Sequence, residues 1–344
     1  MTDITSENNI STNGGSDSDT EDSLLHAEIP ESLHGSRLDQ ALAQLFSQYS
    51  RSRLQQWIRA GHVQVDNKIL RAKDKVVVGQ QIQVQVQAVA EGQWQAEVIK
   101  LDIVFADESL IVINKPAGMV VHPAAGNPSG TLLNALLNYA PELEAIPRAG
   151  IVHRLDKDTS GVLVVARTLE SHKSLVEQLQ ARAFEREYIA VVNGVLTAGG
   201  SVDAPIGRHT QQRVKMAVVD HGKPAVTHYR VEQRFRGHTA VKVNLETGRT
   251  HQIRVHMAHI HHPLIGDPVY GGRFKLPAGC SDELIHELKT FKRQALHARF
   301  LGLQHPVTLE SMGWHVELPD DMQQLLRVLA HDMKHDPKGN VFGE

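Results

Sequence analysis

The sequence predicts an α+β fold: one sheet assembled from distant segments, preceded by a small module of two helices and short strands. Two observations predict the sheet. Short β-prone apolar runs occur at residues 110–114, 161–166, 188–192, 226–231 and 239–245. Loops and only a few helical patterns separate them, without the strict strand–helix alternation of a parallel α/β protein. A third observation predicts the module. Two stretches of helical period near the N-terminus give way to stretches of period two. No internal repeat of fixed period is present.

Residues 1–27 are rich in Ser, Asn, Asp, Thr and Gly and nearly free of large apolar side chains. Such a segment buries too little surface to offset its ordering entropy, so it is expected to be a disordered acidic tail. It reads as a solubilising tail, with weak RNA mimicry as the other reading. The module is expected over 28–90. Leu38, Ala41, Leu42, Leu45 and Phe46 mark its first helix, and Leu54, Trp57 and Ile58 its second, with Gly61 as C-cap. Strands are expected at 62–65, 76–78 and 81–86, the last with Ile82, Val84 and Val86 alternating with glutamines. Arg51, Arg53 and Arg59 lie on or beside the second helix, either as an RNA-facing set or as a solvated face. Residues 91–100 read as a linker and 101–335 as the main domain, leaving a tail at 336–344. Within the main domain, helices are expected at 131–137 and 171–183, and from Pro319-Asp320 onward.

The formal net charge is −3, but residues 1–36 hold eight acids and no Lys or Arg. The rest carries 36 basic residues against 31 acidic ones, a mildly basic body that can hold nucleic acid if its arginines cluster. One cysteine, Cys280, excludes an intrachain disulfide and fits a reducing compartment. There is no basic-apolar leader and no apolar run of membrane-spanning length, so a cytoplasmic protein with no membrane association is expected.

Signatures for phosphate-binding loops, dinucleotide binding, zincin proteolysis and the nucleophile elbow are all absent. Two polar clusters remain. The first, His153-Arg154-Leu155-Asp156-Lys157-Asp158-Thr159-Ser160-Gly161, lies between apolar segments. It suits a tight loop presenting an ionised carboxylate, or a turn whose aspartates bond their own backbone. The second, Gly248-Arg249-Thr250-His251-Gln252-Ile253-Arg254-Val255-His256, mixes cations with an amide, groups that recognise phosphates and base edges. His259, His261 and His262 extend it and raise a metal site, but no spacing matches a standard zinc pattern.

The first cluster resembles the catalytic motif of the RluA family of pseudouridine synthases. Arg186-Glu187-Tyr188 resembles that family's second motif and residues 248–256 its third. Asn114-Lys115-Pro116-Ala117-Gly118 and Gly266-Asp267-Pro268-Val269-Tyr270-Gly271 are similar to further blocks, in the same order. The N-terminal module is similar to the S4 RNA-binding domain. The resemblance implies the pseudouridine synthase fold, a mixed and largely antiparallel central sheet with flanking helices and loops. It implies isomerisation of uridine in large-subunit 23S ribosomal RNA, within the helix 69 stem-loop, by a flipped-base mechanism. Asp156 would be the nucleophile, Tyr188 the ring stacked on uracil, Arg254 the partner of the aspartate, and Arg154 the residue filling the vacated space. Further RNA contacts are expected at Arg37, Arg51, Arg53, Arg59, Lys115, Arg249 and His251. No metal or organic cofactor is implied, because the isomerisation exchanges nothing with another molecule. The implied partner is 23S rRNA or the assembling large ribosomal subunit, met by a monomer. The competing reading is a catalytically silent RNA-binding assembly factor. Asp158 and Asp267 read as turn residues.

Overall fold

The computed structural model describes residues 24–46, 49, 51–85, 94–124, 126–212 and 215–334, the side chains of 51–53 excepted. The expectations for residues 1–23 and 336–344 lie outside these. The chain divides into two compact units, Met1–Gln93 and Trp94–Glu344.

The first unit contains β1 (Leu24–Glu28), α1 (Leu38–Leu45), α2 (Arg51–Ala60), β2 (Val63–Val65) and β3 (Gln81–Gln85). The strands form an antiparallel sheet in the order β1-β3-β2. The predicted helix stripes bury Leu38, Ala41, Leu42, Leu54, Trp57 and Ile58 against Ile82 and Val84. Two expectations change. Leu24–Ala27, placed in the disordered tail, pair with residues 82–85 as an edge strand, and Leu25 and Ala27 rest on the core. The ladder supplies what the tail composition cannot. Residues 76–78 form no strand. Val76 pairs its backbone with Gly35 and Ser36 instead, while Val77 and Val78 are exposed.

The second unit runs β4 (Ile103–Ala106), β5 (Leu110–Lys115), α3 (Leu132–Tyr139), β6 (Ser160–Ala166), α4 (Leu169–Gln180), β7 (Glu185–Asn193), β8 (Gly200–Asp203), β9 (Ile206–Arg208) and β10 (Met216–Val218). It continues with β11 (Val226–Arg234), β12 (His238–Leu245), α5 (Gln252–His259), α6 (Asp282–Thr290), β13 (Leu296–Gln304), β14 (Ser311–His315) and α7 (Asp320–Lys334). Eight strands lie in the order β4-β5-β6-β13-β7-β12-β11-β8, and β14 adds to β13. Every pairing is antiparallel except β6 with β13. A separate hairpin, β9–β10, stands beside this sheet.

Strand β7 shows why its sequence reads as an unbroken apolar run. Tyr188, Ala190 and Val192 enter one core, while Ile189 and Val191 enter another with α6 and α7. Both faces are covered, so alternation disappears. Residues 94–100, read as a linker, run against this unit. Trp94 packs on its core, and the Glu97 carboxylate accepts the Gly130 N–H.

Candidate active site

The first polar cluster is a loop entering β6, pinned from outside as well as by its own turn. Thr159 N–H donates to the Asp156 carbonyl at 3.0 Å, and Gly118 N–H donates to the Lys157 carbonyl at 2.9 Å. Gln294 donates to Thr159 Oγ1, and Arg293 donates to the Asp158 carbonyl. At the loop's end Gly161 has φ +118, and a Cβ there would lie 2.1 Å from the Ala298 carbonyl oxygen. Only glycine lets β6 approach β13 this closely at the end of the aspartate loop. His153 is held neutral, its pKa pushed down to about 3 by burial and by the charge of Arg186. Its Nε2 therefore accepts the Val164 N–H at 3.0 Å.

Arg254, on α5, reaches across to this loop. Its Nη1 donates to Asp156 Oδ2 at 3.0 Å. Its Nε and Nη2 donate to the two oxygens of Asp267 at 2.7 and 2.9 Å. Asp267 also accepts the N–H groups of Val269 and Tyr270. Burial raises the Asp267 pKa, but Arg254 and those amides outweigh it and hold the carboxyl below its usual range. Burial likewise disfavours the Arg254 charge, yet Asp267 and Asp156 more than compensate and its pKa rises. A buried cation thus serves two carboxylates and remains charged.

A cavity of about 590 Å³ opens over this pair, lined by Asp156, Tyr188, Arg254, Arg154, Arg249 and His251 among others. Six residues predicted from the sequence therefore meet in one place. Tyr188 is buried on β7, and burial raises its pKa, so it is a neutral phenol at neutral pH. Arg154 is exposed. Arg249 Nε donates to the Pro224 carbonyl. His251 lies with its Nε2 3.8 Å from Asp156 Oδ1.

Lys115, expected to contact RNA, is instead fully buried. Its Nζ donates to the carbonyls of Pro116, Met119 and Lys157, at 2.7, 3.0 and 3.0 Å, and burial pushes its pKa down to about 8. It is a clamp for the aspartate loop. In the first unit, Arg37 pairs with buried Asp39 and Arg59 Nε donates to the Gln55 carbonyl. Arg51 and Arg53 open α2, and their side chains lie outside the described residues. Among the described residues no cluster of three His, Cys, Asp or Glu side chains could hold a metal ion. Asp267 is the residue that sequence reasoning missed. Its Gly-Asp-Pro setting reads as a turn, and the signal that could have found it is an arginine elsewhere needing a buried partner.

The RNA pseudouridylate synthase family model matches residues 109–259, which include Asp156, Tyr188 and Arg254, and the S4 domain model matches 36–82. Ribosomal large subunit pseudouridine synthase D of Pseudomonas aeruginosa is 59% identical over 306 residues, covering 89% of this chain and 96% of its own. The chain belongs to the RluA-type pseudouridine synthases. This synthase is therefore an isomerase with an S4 domain at its N-terminus. The enzyme of the same name from Xanthomonas campestris pv. campestris is 54% identical over 310 residues, covering 90% of the synthase and 94% of its own chain. Among solved structures, Human RNA Pseudouridylate Synthase Domain Containing 4 superposes with a TM-score of 0.53 at 28% identity, over 67% of this synthase and 93% of that chain.

Proposed function

We propose that the protein converts uridine to pseudouridine in large-subunit ribosomal RNA, within the helix 69 stem-loop, with Asp156 as nucleophile. The observation that carries the reading is the Asp156–Arg254 pair at 3.0 Å, opening on a cavity walled by Tyr188. The relatives' shared name, ribosomal large subunit pseudouridine synthase D, supports the RNA class. The target uridine leaves its stack, at a cost of about a few kcal/mol, and Arg154 fills the gap. Asp156 attacks C1′, and the N1–C1′ bond breaks with its electron pair passing to the uracil. The freed base turns against the Tyr188 ring until C5 faces C1′. C5 then attacks C1′, Asp156 leaves as carboxylate, C5 loses its hydrogen as a proton to solvent, and N1 takes up a proton in its place. Arg254 stabilises the carboxylate whenever it is released and holds it in place. The protein acts as a cytoplasmic monomer on 23S rRNA or the assembling subunit. No helix among the described residues is long and apolar enough to cross a membrane.

Loss of the C5 hydrogen provides the test. Unmodified 23S rRNA carrying tritium at uridine C5 is offered to wild-type protein and to Asp156→Asn. Tritium release by wild type alone is expected, with RNA binding retained by the variant. Substantial release by the variant sinks Asp156 as nucleophile. Binding without release by either favours a silent assembly factor.

A further inference from the structure

Three observations converge on Tyr270, which the reaction scheme above does not use and to which the sequence reading assigned no role. Its hydroxyl lies 2.8 Å from His251 Nδ1 and accepts the Met216 N–H of β10 at 2.9 Å. Its backbone N–H is held by Asp267 at 2.9 Å, and Arg254 lies 5.0 Å from its ring centroid. His251 carries a left-handed backbone, φ +58, a strained conformation for a non-glycine residue that tends to persist where function requires it.

We propose that Tyr270 is a positioning residue that fixes His251 as its Nε2–H tautomer and so turns an N–H donor toward the second oxygen of Asp156. The argument rests on proton direction. One phenol proton is available, and the described residues offer it no acceptor but His251 Nδ1. Were Nδ1 the protonated nitrogen, the phenol proton would be left to solvent on this half-buried ring, and the Nε2 lone pair would face a carboxylate oxygen 3.8 Å away. Both penalties vanish when the hydroxyl donates to Nδ1 and Nε2 carries the hydrogen. The charged groups facing the imidazole are Asp156, Asp267, Arg254 and Arg154. Burial, the strongest influence on the ring, holds its pKa below the ordinary value, which favours the neutral form at neutral pH. Arg254 then engages Oδ2 while His251 faces Oδ1. Addressed at both oxygens, the carboxylate has its plane fixed relative to the cavity, as a nucleophile approaching C1′ requires. At 3.8 Å the Nε2–H group faces Oδ1 electrostatically rather than through a formed hydrogen bond. This inference rests on Asp156 being the nucleophile.

The test combines a tautomer measurement on the free full-length protein with steady-state tritium release. Nitrogen-15 histidine spectra, with the His251 signals assigned by their loss in His251→Gln, should show Nε2–H in wild type and a tautomer mixture in Tyr270→Phe. The same Tyr270→Phe protein should lose about tenfold or more in kcat, with KM for RNA within about twofold. His251→Gln, whose amide nitrogen reaches the place of Nε2, should retain about tenfold more kcat than His251→Asn, whose amide mimics Nδ1. An Nδ1–H tautomer or an imidazolium in wild type overturns the proposal. So does an unchanged tautomer in Tyr270→Phe, a kcat left at wild type, or a loss confined to KM. A wild-type protein that releases no tritium defeats the parent reading instead, and the tautomer spectra, recorded without RNA, still decide this one.

Discussion

Arg254 is shared between a carboxylate that faces the cavity and one that does not, and the second makes the first possible. The Asp267 side chain is fully buried and engages two guanidinium nitrogens, leaving Nη1 for Asp156. Breaking one partner of a buried ion pair strands the other charge, at about 3–5 kcal/mol. Asp267→Asn should therefore lower stability by about that amount, read from the denaturant midpoint, and reduce kcat because Arg254 loses its anchor. A loss under about 1 kcal/mol would show the pair to be dispensable. The residues that meet in the cavity were legible in the sequence through their motifs' resemblance to the RluA family, since residue types alone left a self-bonded turn open. Asp267 was not, since the same carboxylate also performs the turn bonding that its neighbours suggest, to Val269 and Tyr270. Lys115 was misread for a related reason. A lysine is expected at the surface, and only the convergence of three carbonyls makes its burial tolerable.

The aspartate loop behaves as a structural element although it has no regular secondary structure. Lys115 joins it to the turn after β5, so Lys115→Met should deprive the Pro116 and Met119 carbonyls of this donor and leave the Lys157 carbonyl with the Gly118 N–H alone. At about 1–3 kcal/mol for each buried polar group left unsatisfied, a clear drop in Tm is expected, with a fall in kcat because the loop carries Asp156. A variant with wild-type Tm and kcat would show that the clamp is unnecessary. Strands with continuous apolar sequence, such as β5, β6 and β7, were legible because burial on both faces selects such residues. Helix α5 was read only as a polar cluster. It buries Gln252, Arg254 and His256 along with Ile253, Val255 and Met257. A helix whose inward face is partly polar gives no apolar stripe to detect. Strand β13 was missed as well. His297 and Arg299 interrupt its pattern, yet their partners Ser160 and Glu187 come from β6 and β7.

At the scale of the whole molecule, buried histidines tie stability to pH. His238 and His297 are 2% and 1% exposed, and burial pushes the pKa of each down to about 4. Folded, both stay neutral; unfolded, they take up protons near the ordinary value of about 6.5. Below that pH the unfolded chain binds more protons, so the contribution of these two rings to stability falls as pH drops from about 6.5 toward 4 and levels off below. The fall should be on the order of 1 kcal/mol per pH unit for each histidine within that window. Denaturant midpoints at pH 7.5, 6 and 5 check this, and a flat profile would mean that these rings are not neutral in the folded state.

The sequence by itself determined the α+β class, the cysteine-poor composition, the apolar strands of the second unit and the residue types that meet at Asp156. Each of these follows from local pattern, because periodicity, turn chemistry and motif order are properties of neighbouring residues. Tertiary structure alone decided that Leu24–Glu28 is a strand, that Lys115 is a clamp, and that Asp267 and Tyr270 stand behind Arg254 and His251. These outcomes depend on partners from distant parts of the chain. A buried charge or a lone edge strand is stable only once those partners are in place.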